Sequence, residues 1–165
     1  MKQFRTYLIA AVALLGFQTI NAQAKTAHVD VQEIMTKMPA VLDAQNQLKK
    51  LSDTYTAEYK TMVDEYQAKI KKYDAEGATV TDAVNQTRQQ EVQDMGKRIG
   101  DFQETAQKDL QKKETDLMKP IEDKVKASIQ KVGKAKGYQY VLNATDLLLA
   151  DGPDLTADVK KDLGF

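Results

Sequence analysis

The chain contains no cysteine, which excludes a disulfide framework, a thiolate metal or redox site, a cysteine nucleophile and a lipid-modified N-terminal cysteine. It has a single histidine, His28, on a β-prone segment that offers no partners for a metal site or a catalytic triad. Three prolines among 165 residues leave long stretches without a helix breaker. An excess of either charge is missing too, with 24 basic against 24 acidic side chains. A chain so balanced has no general affinity for nucleic acid. The carboxylates are scattered over helical faces with lysines three or four residues away, so they read as solvating and pairing groups, and no acid/base pair stands out. Gly133-Lys134-Ala135-Lys136-Gly137 lacks the spacing and the Ser/Thr of a phosphate loop, and it closes a helix instead of opening one. Neither an enzymatic activity nor a cofactor is expected.

The N-terminus reads as a signal peptide over residues 1–22. Lys2 and Arg5 form its basic region, Tyr7 to Phe17 its apolar run, and Ala22-Gln23-Ala24 its small-residue cleavage site. The run is short of the ~20 residues that a membrane-spanning helix needs. Cleavage after Ala22 or Ala24 removes Lys2 and Arg5, leaving 22 basic against 24 acidic groups on an exported, soluble chain.

The remainder reads as mainly α with a small β body: a long antiparallel α-helical hairpin, a coiled-coil-like arm, projecting from a β-containing oligomerisation body. Residues 23–39 belong to the body, with a strand over Thr26–Val31 and a short helix over Gln32–Met38. Residues 40–119 form the arm, with its tip near 76–81, and residues 120–165 return to the body. Pro39 suits the first turn of a helix, where its missing N–H has no partner to lose. From Ala40 to about Ala75 nothing interrupts, and at 1.5 Å per residue such a helix is about 54 Å long, too long to fold into a compact domain of this size. Its apolar positions repeat every 11 residues: Ala44, Leu48 and Leu51 become Tyr55, Tyr59 and Met62, then Tyr66, Ile70 and Tyr73. That period is 3.67 residues per turn, which keeps the stripe nearly straight.

Gly77 suits a left-handed helix end, so the chain turns there. Thr79 or Thr81 caps the returning helix, with Asp82 in its first turn. The return keeps the period, with Val84, Met95, Ala106 and Leu117 in one row and Arg88, Ile99, Leu110, Ile121 and Val132 in another. Two helices of matching period joined by a tight turn zip antiparallel. The stripe is narrow until Ile121, Val125, Ile129 and Val132 broaden it at the base. Gly96, Gly100 and Pro120 are hinge candidates. Gly137 ends the helix, Tyr138 to Leu142 alternates as a strand, Leu147 to Ala150 reads as a second strand, and a helix capped by Thr156 closes the chain. A base of about 60 residues with exposed strand edges favours oligomerisation.

Three segments resemble the end signatures of the Skp/OmpH family of periplasmic chaperones: Ala27-His28-Val29-Asp30-Val31-Gln32-Glu33-Ile34, Lys136-Gly137-Tyr138-Gln139-Tyr140-Val141-Leu142-Asn143, and Leu149 to Val159. The Leu117-Met118-Lys119-Pro120-Ile121 junction extends the likeness. The resemblance implies a periplasmic homotrimer whose three hairpin arms surround a cavity that holds unfolded outer-membrane proteins without ATP. Best-known members are strongly basic. This chain is slightly acidic, and no lipopolysaccharide site transfers to it residue by residue. Met62, Tyr66, Ile70, Tyr73, Val84 and Met95 line the distal stripe; they zip the hairpin, and adaptable Met and amphipathic Tyr at its edge are the candidates for client contact. The competing reading is a structural envelope scaffold or spacer whose arms bind one folded partner.

Overall fold

In the computed structural model, residues 24–165 are described. The signal peptide expected over 1–22 lies outside them. The chain enters through strand β1 (Thr26–Val29) and helix α1 (Val31–Lys37), whose first turn is capped by Asp30 accepting from the Glu33 N–H at 2.7 Å. Helix α2 (Pro39–Glu76) then runs 38 residues with Pro39 at its start, and helix α3 (Asp82–Ala135) returns over 54 residues. Strand β2 (Tyr140–Asn143) and helix α4 (Thr156–Leu163) complete the body. At 1.5 Å per residue α2 and α3 are about 57 and 81 Å long. The excess of α3 over α2 is its lower end, which enters the core.

The 11-residue reading of the stripe matches the structure closely. All nine positions from Ala44 to Tyr73 are buried or half-buried, as are Arg88, Met95, Ile99, Ala106, Leu110 and Leu117 on α3. Val84 departs from its row and is 41% exposed. Helix α3 continues unbroken through Gly96, Gly100 and Pro120.

The turn is built differently from the sequence expectation. Gly77 is right-handed (φ −55°), and a single 3-10 turn over Gly77–Thr79 followed by extended Val80 reverses the chain. Right-handed residues suffice because Asn85 Nδ2 donates to the Gly77 carbonyl at 3.0 Å, holding the turn against the returning helix. Thr81 is the residue that caps α3, its Oγ1 accepting from the Val84 N–H.

The two strands lie at opposite ends of the sequence and pair in parallel, Thr26 beside Tyr140 and Val29 beside Asn143. Parallel strands require a crossover, and here the whole hairpin serves as one. The other edge of β1 is taken by residues 153–155, with His28 N–H donating to Pro153 O and Leu155 N–H to His28 O, both at 2.9 Å. Between them sit Ile34, Leu155, Val29 and Val159, all fully buried, with Met38, Val41, Val125 and Val132 around them. Val141 packs on α3 so closely that a Cβ at Gly133 would lie 2.8 Å from its Cγ2.

Three expectations at the base need correction. Leu147–Ala150 is not a strand: the second edge of β1 goes to residues 153–155 instead, the segment pairs with neither β1 nor β2, and Leu148 and Leu149 project into solvent. Strand β2 starts at Tyr140 instead of Tyr138 because the Tyr138 N–H is taken by the Gly133 carbonyl (3.0 Å), across Gly137 at φ +76°. Thr156 is the first residue of α4, not its cap. Its hydroxyl accepts the Asp30 N–H at 2.9 Å, and Asp154 receives the Thr156 N–H at 2.8 Å in its place.

Candidate interaction surface on the arm

Along the arm, beyond Val41 at the edge of the core, only Ala44, Met95 and Ala106 are buried, and the larger side chains of the stripe stay half-wet. A groove of about 680 Å³ opens at mid-arm, between α2 and α3. Tyr55, Tyr59, Phe102, Ala106 and Leu110 line it, with Gly100 at its rim. Tyr55 and Phe102 meet edge to face, ring centres 5.9 Å apart at 80°, an arrangement that aromatic quadrupoles favour. The Tyr55 hydroxyl donates to Asp109 Oδ2 at 3.1 Å. Partial burial, and then that carboxylate, push its pKa up, so it remains a donor.

Nearer the tip, Met62 and Met95 share a smaller opening with Glu65, Arg98 and Ile99. Tyr66 lies 3.9 Å from where a Gly96 Cβ would stand, an ordinary van der Waals distance, so its ring packs over this glycine. Beyond Tyr66 the zipping is polar. Glu91 of α3 receives Lys69 and the Tyr73 hydroxyl from α2. Arg88 stacks on the Tyr73 ring at 4.5 Å and pairs with Glu76 at 2.6 Å. Glu91 is held below the ordinary carboxylate value first by Lys69 and then by Tyr73, while that same hydrogen bond raises Tyr73.

Of the six distal residues, the structure brings Met62 and Met95 together and sets Tyr66 and Tyr73 between the helices. Ile70 is half-buried, and Val84 stands in solvent near the tip. Sequence reading missed Phe102 and Asp109. Phe102 falls outside the apolar rows, and the one available signal was its place three residues after Ile99. It also missed the polar cluster at the tip, whose signal was Arg88, a charge standing in an apolar row.

Four lysines on the exposed faces of the arm are neutralised within their own helix, Lys49 by Asp53, Lys60 by Asp64, Lys108 by Glu104 and Lys112 by Asp116. Such exposed pairs are screened by solvent, contribute little to stability, and intersperse the two signs of charge along the arm. Among the described residues no helix is long and apolar enough to cross a membrane, and no cluster of His, Cys, Asp or Glu could hold a metal.

Comparison with known proteins bears on this arrangement. The family model described as outer membrane protein (OmpH-like) matches residues 25–163. The chain is 22% identical over 162 residues to a protein named Chaperone protein Skp from Pectobacterium atrosepticum, and 25% identical over 162 residues to one of the same name from Photorhabdus luminescens. In both cases 98% of each chain is covered. Its fold is similar to the crystal structure of an OmpH-like outer membrane chaperone from Caulobacter crescentus, with a TM-score of 0.78 at 17% identity over 86% of this chain and 85% of the other.

Proposed function

We propose, from the premise that the chain belongs to the OmpH-like family, that it is an ATP-independent periplasmic holdase that shelters unfolded outer-membrane proteins between its arms. Family membership makes it a chaperone and not an enzyme. The observation that carries the finer reading is the arm's half-wet aromatic stripe, above all the mid-arm groove of Tyr55, Tyr59, Phe102 and Leu110. Burying one large apolar side chain contributes about 1.5–3 kcal/mol, whereas ordering each residue costs about 1–2 kcal/mol in backbone entropy. So sparse a stripe leaves the arm among the least stable parts of the molecule, and able to bend around clients of different size. Many weak contacts to one tethered chain add up to useful avidity. Release then requires only that folding in the outer membrane be more favourable than staying bound.

Three arms around a cavity require a homotrimer. The body supports association: among the described residues no strand pairs with the outer edge of β2, and Tyr140, Leu142, Leu148 and Leu149 are exposed. Lipopolysaccharide capture is not part of this proposal: Lys49, Lys60, Lys108 and Lys112 are each paired with a carboxylate of their own helix.

Diluting a urea-unfolded outer-membrane barrel into the purified protein without nucleotide should suppress light scattering, and unrelated barrels should be held alike. A scaffold that recognises one folded partner would leave them to aggregate. Tyr66→Ala with Tyr73→Ala should weaken holding more than it lowers helicity by circular dichroism; equal losses would make these tyrosines structural only.

A further inference from the structure

From Tyr66 outward to the turn, no residue on either helix is fully buried. What joins the helices there is a set of charged side chains reaching across: Lys69 and Tyr73 to Glu91, Arg88 over the Tyr73 ring and onto Glu76, and Asn85 onto the Gly77 carbonyl. With Tyr66, Ile70 and Tyr73 only half-buried, helix pairing there leans on its polar contacts to offset the entropy of ordering the two helices. The mid-arm is different. There Met95 and Ala106 are buried and Tyr55 packs on Phe102.

We propose that Glu91, Glu76 and Arg88 form a clasp at the end of the arm that opens independently of the mid-arm stripe, splaying the two helices beyond Tyr66. Glu91 is the central element, since it accepts hydrogen bonds from two residues of the opposite helix, Lys69 and Tyr73. The groups facing it are Lys69 and Tyr73 from α2 and, on its own helix, Arg98; Arg88 reaches it indirectly through the Tyr73 ring. Arg88 Nη1 is enclosed without a hydrogen-bond partner, so closing the clasp leaves one buried donor unsatisfied and opening it returns that donor to water. Acid opens the clasp. Glu91 is held below its ordinary value of 4.5, so its contribution is complete above that pH and is lost as the pH falls further. Opening frees Tyr66, Ile70 and Tyr73, and on the chaperone reading it widens the surface offered to a client.

Amide hydrogen exchange on the full-length oligomer, corrected for intrinsic rates, tests the clasp without any client. At pH 7, Glu91→Gln should accelerate exchange over 68–92 by about three- to tenfold, the scale of losing exposed charged contacts. Exchange over 50–60 and 102–110 should stay unchanged. Glu76→Gln should act in the same direction and less strongly, and the exchange of charges in Lys69→Glu with Glu91→Lys should restore protection. Unaltered tip protection in Glu91→Gln, equal loss along the whole arm, or failure of the charge exchange to rescue would each overturn the clasp. A clasp that opens as described in a protein that nonetheless fails to hold clients would count against the holdase reading alone.

Discussion

Glu33 is one carboxylate serving two lysines, Lys37 one turn along α1 and Lys160 on α4. The Lys160 hydrogen bond, then the Lys37 hydrogen bond, bring its pKa from 4.5 to about 2. A depressed carboxylate stabilises the fold fully above its unfolded value and loses that contribution as the pH falls through the folded one. Glu33→Gln should therefore flatten the dependence of the melting temperature on pH between about 4.5 and 2 and leave the profile above pH 5 parallel to that of the native chain. Thermal scans at half-unit steps of pH read this directly. Asp162, lowered by Lys131 and then by Ser128, is the equivalent tie between α4 and α3 and should behave in the same way. Only the Lys37 contact, four residues away, was legible in the sequence; Glu33 and Lys160 are 127 positions apart and only the fold makes them neighbours.

Within α3, two glycines of the same helix have opposite surroundings. A Cβ at Gly100 meets nothing within 4 Å, whereas one at Gly133 would lie 2.8 Å from Val141 Cγ2. Gly100→Ala should stabilise the arm by about 1 kcal/mol through helix propensity alone. Gly133→Ala gains the same propensity but forces a stiff β-branched side chain aside at about 1–3 kcal/mol, and should come out neutral to destabilising by up to about 2 kcal/mol. Urea unfolding of the two variants gives the comparison. If Gly100 is a hinge, its alanine variant should also hold a narrower range of clients. The helices themselves were legible because the 11-residue period acts over dozens of residues, and a pattern that long outweighs local noise. The turn was misjudged at Gly77 because the contact that settles it, Asn85 onto the Gly77 carbonyl, comes from the far side of the bend. Leu147–Ala150 was misjudged because a run of β-prone residues states only willingness to pair, and in the fold it is residues 153–155 that take the second edge of β1.

At the level of the whole molecule, a thin arm and a body with an open β2 edge make association the expected state. Sedimentation at two protein concentrations should give a trimer that persists on dilution, and Leu148→Asp with Leu149→Asp should shift it toward monomer if those side chains lie in the contact. A monomeric native chain would remove the cavity from the proposal while leaving the hairpin intact. The end motifs pointed to the family and the period pointed to the arm. The groove at Tyr55 and Phe102 was legible only in part, since it arises from two helices whose register no local pattern encodes. The pairing of Thr26 beside Tyr140 has a bearing on biogenesis as well. The stem can zip on itself while the chain is still being made, but its foundation stays unsealed until Leu155 and Val159 arrive, almost at the last residue. Loss of residues 154–165 should thus leave a rod on an unfinished base, one flank of its first strand bare.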